Sequence, residues 1–147
     1  MRMVRLMAFH LDYSEVSKFL GAAKKLQEDY NRFLRSFLAE QAERVVAKVK
    51  QPGRTPKDTG ALRRSWKIGK MTGSGETLEV EILNPMEYAT DIEYGHRIVV
   101  GHGKNKKEVG WYNGHFMLKI SMDEVRNQMQ ARYDKEFADF CKQRGVE

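Results

Sequence analysis

The stretch from Thr55 to Trp66 reads T-P-K-D-T-G-A-L-R-R-S-W, and the spacing of apolar residues changes across it. Upstream they recur every three to four positions; downstream, from Leu62, every two. Pro56 fixes its own φ and pushes Thr55 out of the helical region, while Gly60 can take angles that other residues avoid. Asp58 and Thr59 carry side chains that hydrogen-bond nearby backbone groups, which is turn chemistry. The stretch is expected to be a corner between a helix and a sheet.

Upstream of the corner, about Asp29 to Lys50, Tyr30, Phe33, Leu34, Phe37, Leu38, Ala42, Val45, Val46 and Val49 fall on one stripe. Glu40, Glu43, Arg44 and Lys48 occupy the other faces. A stripe this wide faces a protein core or a partner helix. Each such side chain contributes about 1.5–3 kcal/mol on burial, before entropy. Gln51-Pro52-Gly53 ends the pattern. Acids as well as bases on the polar face argue against a membrane-surface helix. Earlier still, Val16, Phe19, Leu20, Ala23 and Leu26 have helical spacing behind a cap at Asp12 or Ser14, weakened by Gly21. Met3 to Leu11 fits a strand or a helix start, and the strand is preferred.

Downstream, Leu62, Trp66 and Ile68 alternate with Arg63, Ser65 and Lys67. Arg64 interrupts this face and must snorkel or find a partner. Met71 to Gly75 is a turn signal, after which Leu78, Val80 and Ile82 alternate with Glu79 and Glu81. This reads as a β-hairpin with one covered face, ended by Asn84-Pro85. Glu87 to Gly95 suggests one helical turn closed by Gly95. Ile98 to Val100 and Val109 to Tyr112 can form a second hairpin around the polar tip Gly101 to Lys107. From about His115 to Arg144 a second stripe runs through Leu118, Met122, Val125, Met129, Tyr133, Phe137 and Phe140, and Gly145 stops it. The expected fold is α+β: an antiparallel sheet packed against two long amphipathic helices in two layers. It is expected to be a single domain over 1–147, with an enlarged loop or hairpin at about 96–114.

The chain's 147 residues suffice for a real core, and 26 basic against 20 acidic residues give a net charge of +6. Both signs are interspersed, so a solvated mixed-charge surface is the first reading. Only Arg63-Arg64 and Lys104–Lys107 are locally concentrated. The single cysteine, Cys141, excludes an intramolecular disulfide framework and fits a reducing compartment. It sits late in a helix beside Lys142, not at the N-terminus that activates a thiol. No stretch approaches the roughly 18–20 apolar residues of a membrane span, and Met1 to Leu11 lacks the run of a signal peptide. A soluble protein made in the cytosol is expected.

Few constellations suggest chemistry. His96, His102 and His115, with Asp91, Glu93 and Cys141, match no zinc spacing, so no metal or cofactor is expected. His102 or His115 could serve as acid or base with Glu93, Arg97 and Lys106 in a small nuclease, provided the groups reach one reacting centre. Gly73-x-Gly75 and Gly101-x-Gly103 lack the helix that follows a phosphate cradle. Arg97, Lys104, Lys106 and Lys107 interleave with Tyr94, Trp111 and Tyr112, as in a single-strand binder. Trp111 and Tyr112 equally suit a small satellite core.

Three blocks resemble the tail-completion, or head–tail joining, proteins of long-tailed bacteriophages and prophages, a gene-ten-product-like family. Pro56 to Ser65 is close to that family's P-x-D-T-G-x-L-R-x-S signature after a long helix. Tyr88-Ala89 with Ile92-Glu93-Tyr94-Gly95 matches its Y-A-x-x-x-E-x-G pattern. His115-Phe116-Met117-Leu118 stands where the family has P-F-L followed by proline and alanine, and this chain lacks the proline. The resemblance implies a fold like that of tail-terminator and neck-ring proteins, and non-enzymatic structural work in the virion, at the head–tail junction or tail end. Assembly would take place in the host cytoplasm. It further implies a ring, a hexamer to match the tail, and partners such as a tail terminator, tail tube or head-completion protein. Nucleic acid would be met only as the passing genome. Asp58, Thr59, Gly60, Leu62, Arg63, Tyr88, Glu93, Gly95 and Phe116 would hold sheet and loops in register and secondarily touch neighbours. Arg64, Lys104, Lys106 and Lys107 would meet acidic partner surfaces. A basic nucleic-acid-binding module and, after it, a histidine nuclease stand as alternatives.

Overall fold

The computed structural model describes residues 13–56, 60–74 and 77–145. The chain falls into two compact units, one ending at Leu34 and one beginning at Arg35. Helix α1 (Tyr13–Val49) contributes to each. It continues through Gly21, where a side chain would meet open space, so the two helical segments expected from the sequence are one helix. The proposed strand at Met3–Leu11 and the cap at Asp12 lie outside what is described, and Ser14, the alternative cap, lies within α1.

Among the described residues of the first unit, the apolar side chains of the earlier helical spacing stay open to solvent. Phe19 is 72% exposed, and Leu20 and Leu26 are also open to solvent. Tyr30 stacks on Phe33, and Arg32 pairs with Asp29 one turn away.

In the second unit the stripe of α1 buries Phe37, Ala42, Val45 and Val49, together with the polar Gln41. The helix closes as Lys50 N donates to the Val46 carbonyl, and the turn after it as Arg54 N donates to that of Gln51. Past the corner, Ala61–Arg64 is a short helix, α2, so the alternation that began at Leu62 is not yet a strand. Leu62 points into the core from a helical turn and Arg64 lies exposed, with no apolar face for it to interrupt. Strand β1 (Lys67–Ser74) pairs antiparallel with β2 (Thr77–Leu83), Ile68 opposite Ile82 and, after a register shift, Met71 opposite Val80. The reversal therefore comes later than the Met71–Gly75 signal suggests. Along β2, Leu78, Val80 and Ile82 are half-buried and Glu79 and Glu81 exposed, the alternation of a sheet with one covered face.

Helix α3 (Ala89–Tyr94) leads into β3 (Gly95–Val100), which pairs with β4 (Lys107–Asn113) around a tip holding a short 3-10 turn at Gly103–Asn105. These two strands form a sheet of their own, so the single sheet expected is two separate hairpins. Alternation identifies strands; it does not say which edges meet. Helix α4 (Met117–Gln143) completes an α+β architecture. The core unites Val49, Leu62, Trp66, Ala89 and Met117, with Val46, Ile82, Met86, Ile92 and Leu118 packed against it.

One hydroxyl ties the end of α1 to this core. Thr55 Oγ1 donates to the Val49 carbonyl at 2.6 Å and accepts from the Trp66 indole N–H at 3.1 Å. Thr55 is 1% exposed, so neither partner has water as a substitute. Thr55→Val keeps the shape and removes both bonds. It is expected to cost about 1–3 kcal/mol in urea unfolding.

Polar contacts that α4 makes with α1 and with the turn after it make stability respond to acid in two opposite senses. Arg54 and Lys48 hold Glu124 at 2.6 and 3.2 Å. Their hydrogen bonds, Arg54's first, lower its pKa below the ordinary 4.5. That contribution is present above the ordinary value and is lost as pH falls through the lowered one. Glu136 is shifted upward, first by burial and then by its hydrogen bond to Glu40, which the Arg44 guanidinium in turn holds down. A raised carboxyl favours the fold below its ordinary value and loses that contribution as pH rises through the shifted value. In thermal melts at about pH 7, Glu124→Gln should fall below the parent and Glu136→Gln should rise above it. Both differences should shrink towards about pH 4.

Candidate functional site

The three sequence blocks converge on one junction. From the first block, Leu62 enters the core, and its carbonyl accepts from Asn84 Nδ2 at 2.7 Å. Asn84 Oδ1 in turn accepts from Met86 N at 3.1 Å, which fixes the exit of β2. Gly60 precedes α2 with φ 84, the left-handed angle expected of it, and the Arg64 guanidinium lies over it where a side chain would stand. Arg63 is half-buried. Asp58 and Thr59 lie outside the described residues.

From the second and third blocks, α3 and the start of α4 are locked by their backbones. His115 N donates to the Ile92 carbonyl at 2.8 Å and Phe116 N to that of Glu93 at 3.0 Å. The Glu93 carboxylate then reaches under α4. Oε2 accepts from Leu118 N and Oε1 from Lys119 N, each at 3.0 Å. A helix leaves its first amides without intrahelical partners and carries positive potential at that end, so a carboxylate there is doubly favourable. Glu93 is 5% exposed and acts as a cap from 25 residues upstream. Phe116, just before α4, has φ 49, unusual for a residue with a side chain. Bonds on both sides hold it: its N–H to Glu93, and its carbonyl accepting Ile120 N. Tyr88 is exposed at the start of α3, and Tyr94 packs edge-on to Phe116.

Two glycines let these backbones approach. Gly95 leaves α3 with φ 86 and ψ 171. A Cβ there would run into the Tyr112 carbonyl oxygen. A Cβ on Gly114 would stand 2.5 Å from the Glu93 carbonyl oxygen. Gly114 and Gln41 are structural residues that the sequence reading missed, while it named Asn84 only as a strand end and Met117 only as part of the third block. Gln41 accepts from Arg132 of α4 at 3.1 Å through its side-chain oxygen. No local signal marks Gly114, because its constraint comes from backbone some 20 positions away in the sequence.

The two histidines considered as acid and base are not brought together. His96 stacks on Tyr112, whose hydroxyl lies 2.9 Å from His115 Nε2. His102 is at the far tip, separated from His115 by β4, a length of about 20 Å. Those two cannot serve one substrate atom. Trp111 and Tyr94 are more than half exposed and Tyr112 is exposed too, so the satellite core considered for Trp111 and Tyr112 does not form; Tyr112 packs on the rings of His96 and His115. Lys104, Lys106 and Lys107 are exposed at the tip, with Arg97 nearer the base and paired to Glu108. Among the described residues no group of three or more His, Cys, Asp and Glu side chains is arranged to hold a metal ion. No helix among them is long and apolar enough to cross a membrane.

The junction thus spends its polar groups on backbone, and a comparison of the chain with known families agrees with its motifs. A family model described as "Bacteriophage HK97-gp10, putative tail-component" matches residues 17–95, which take in the corner, β1, β2 and α3. The chain belongs to this family of phage tail components. Its setting is accordingly the virion, among other phage structural proteins. Comparisons with curated proteins and with solved structures give no match.

Proposed function

We propose that the protein is a non-enzymatic structural component acting in tail completion and head–tail joining, assembled there as a ring, with six copies to match the tail. One observation carries this reading: Glu93 and Gly95 of the second block are consumed in holding the fold. Both Glu93 carboxylate oxygens accept helix amides, and Gly95 serves a backbone crossing. A catalytic carboxylate needs a free face towards substrate. The family's description as a tail component supports the same reading. A tail terminator, tail tube or head-completion protein is the partner expected. Arg63 and Tyr88 are assigned to the rim of the junction, and Asp58 and Thr59, by their turn chemistry alone, to keeping the corner in register.

Electron microscopy of phage assembled with the gene disrupted tests the proposal. Full heads accompanied by separate or aberrant tails are expected. Normal joined particles would overturn it.

A further inference from the structure

The β3–β4 hairpin is open to water in a way the rest of the second unit is not. All seven residues of β4 are exposed, as are Ile98, Val99 and Val100 on β3. Val109 and Trp111 are 55% and 56% exposed. A two-stranded hairpin is marginal in water on its own, and contiguous exposed apolar surface marks a contact site. The hairpin is also basic, with Arg97, Lys104, Lys106 and Lys107 against Glu108.

The same unit contains a cleft of about 550 Å³ between α1, β2 and α4. Its apolar lining includes Leu38, Val45, Leu78, Val80, Met122 and Met129. Glu79 lines it and Glu81 follows on the same exposed side of β2, so this strand brings negative charge to the rim. Arg126 also lines the cleft, where it pairs with Asp123. Among the described residues β2 is paired on one edge only, to β1, and an open edge offers backbone groups to an incoming strand. From Leu38 to Val45 the helix wall is about 10 Å long, room for about three residues of extended chain.

We infer that the β3–β4 hairpin of one copy seats in this cleft of a second copy. Val109 and Trp111 enter the apolar floor, and the lysines of the tip meet Glu79 and Glu81 of the receiving chain. Protrusion and recess, apolar matter on each, and opposite charge belong to one sequence, which is why the occupant is another copy of this chain. Such a contact is heterologous: every copy gives one hairpin and receives one, so copies add head to tail until a ring closes. The inference rests on the ring proposed above and supplies its surfaces.

The test is disulfide trapping between two populations in a Cys141→Ser background, one carrying Val109→Cys and the other Leu78→Cys. Mixed under mild oxidation, they are expected to give a mixed dimer. One chain carrying both substitutions should give a ladder of higher oligomers. Reversal of the tip (Lys104→Glu, Lys106→Glu, Lys107→Glu) touches only exposed residues and should lower the yield of mixed dimer about tenfold. Glu79→Lys with Glu81→Lys on the receiving chain should restore it. Absence of mixed dimer at the highest soluble concentration, with far-UV circular dichroism unchanged, overturns the inference. So does a product consisting only of Val109→Cys pairs. If mixed dimer is absent and the tip reversal instead abolishes salt-sensitive binding to a single-stranded oligonucleotide, the hairpin is a nucleic-acid surface. Phage assembly separates the two readings. Defective tails without the cross-link leave the tail assignment standing and defeat the hairpin contact. The cross-link with normal tails does the reverse.

Discussion

Gly95→Ala is expected to destabilise the second unit by about 3 kcal/mol or more. Two causes act together at this position. The backbone sits at φ 86 and ψ 171, a region nearly closed to residues with a Cβ. The methyl would also meet the Tyr112 carbonyl, with Gly114 N at 2.9 Å and the Trp111 indole nitrogen at 3.0 Å. Carbonyl and amide of neighbouring backbone cannot swing aside as a side-chain end can. Gly53→Ala tests a positive φ without a steric neighbour, since Gly53 has φ 84 and nothing within 4 Å. It should cost only about 1 kcal/mol. Gly114→Ala isolates the second: no positive φ is involved, yet its methyl would press on Glu93 and Tyr94 backbone. Urea denaturation of the three variants checks the ranking. Equal losses in Gly95→Ala and Gly53→Ala would mean that the crossing is looser than the structure has it.

Glu93→Ala should follow closely, at about 2–4 kcal/mol. Hydrogen bonds to a charged group contribute about 1.5–3 kcal/mol each, and their loss leaves two amides at the part-buried start of α4 without partners. Its macrodipole loses a favourable charge as well. Glu93→Gln keeps one acceptor oxygen and turns an NH₂ group towards the other amide, so it should recover only part of the loss. The distinguishing measurement is local. Hydrogen exchange at Leu118 and Lys119 should quicken in Glu93→Ala well before exchange in the middle of α4. Uniform quickening along the helix would instead indicate that Glu93 matters only through global stability. Because α3, β3 and the first turn of α4 share this junction, the hairpin should lose order with it. Both substitutions are therefore expected to reduce the cross-linking proposed for Val109 and Leu78.

Much of this molecule is written locally in its sequence. The stripe from Phe37 to Val49 specifies a helix because side chains three and four apart share a face, and the same holds from Leu118 to Phe140. Alternation at Leu78, Val80 and Ile82 specifies a strand for the same kind of reason. Gly60 and Gly95 were legible as conformational corners, and the ordered blocks around them pointed to the phage tail family. Where local patterns compete, sequence alone decides poorly. Leu62 fits a period of two or of 3.6, and burial beside Val49 and Trp66 favours a helical turn.

Tertiary structure alone decided the rest, because the partners are far apart along the chain. Nothing near Glu93 reveals that its carboxylate caps a helix beginning at Met117, nor does anything near Thr55 reveal a bond from Trp66. Gly114 gives no local sign of its constraint, which exists only once Glu93 and Tyr94 are folded against it. The division of four strands into two hairpins also depends on the path of α3. At the Thr55–Trp66 corner the two levels meet. Its residues determined that a helix must end and a sheet begin, since proline and glycine restrict backbone angles wherever they stand. That this corner anchors the core, with the other two blocks folded onto it, was decided by burial and hydrogen bonding between distant segments.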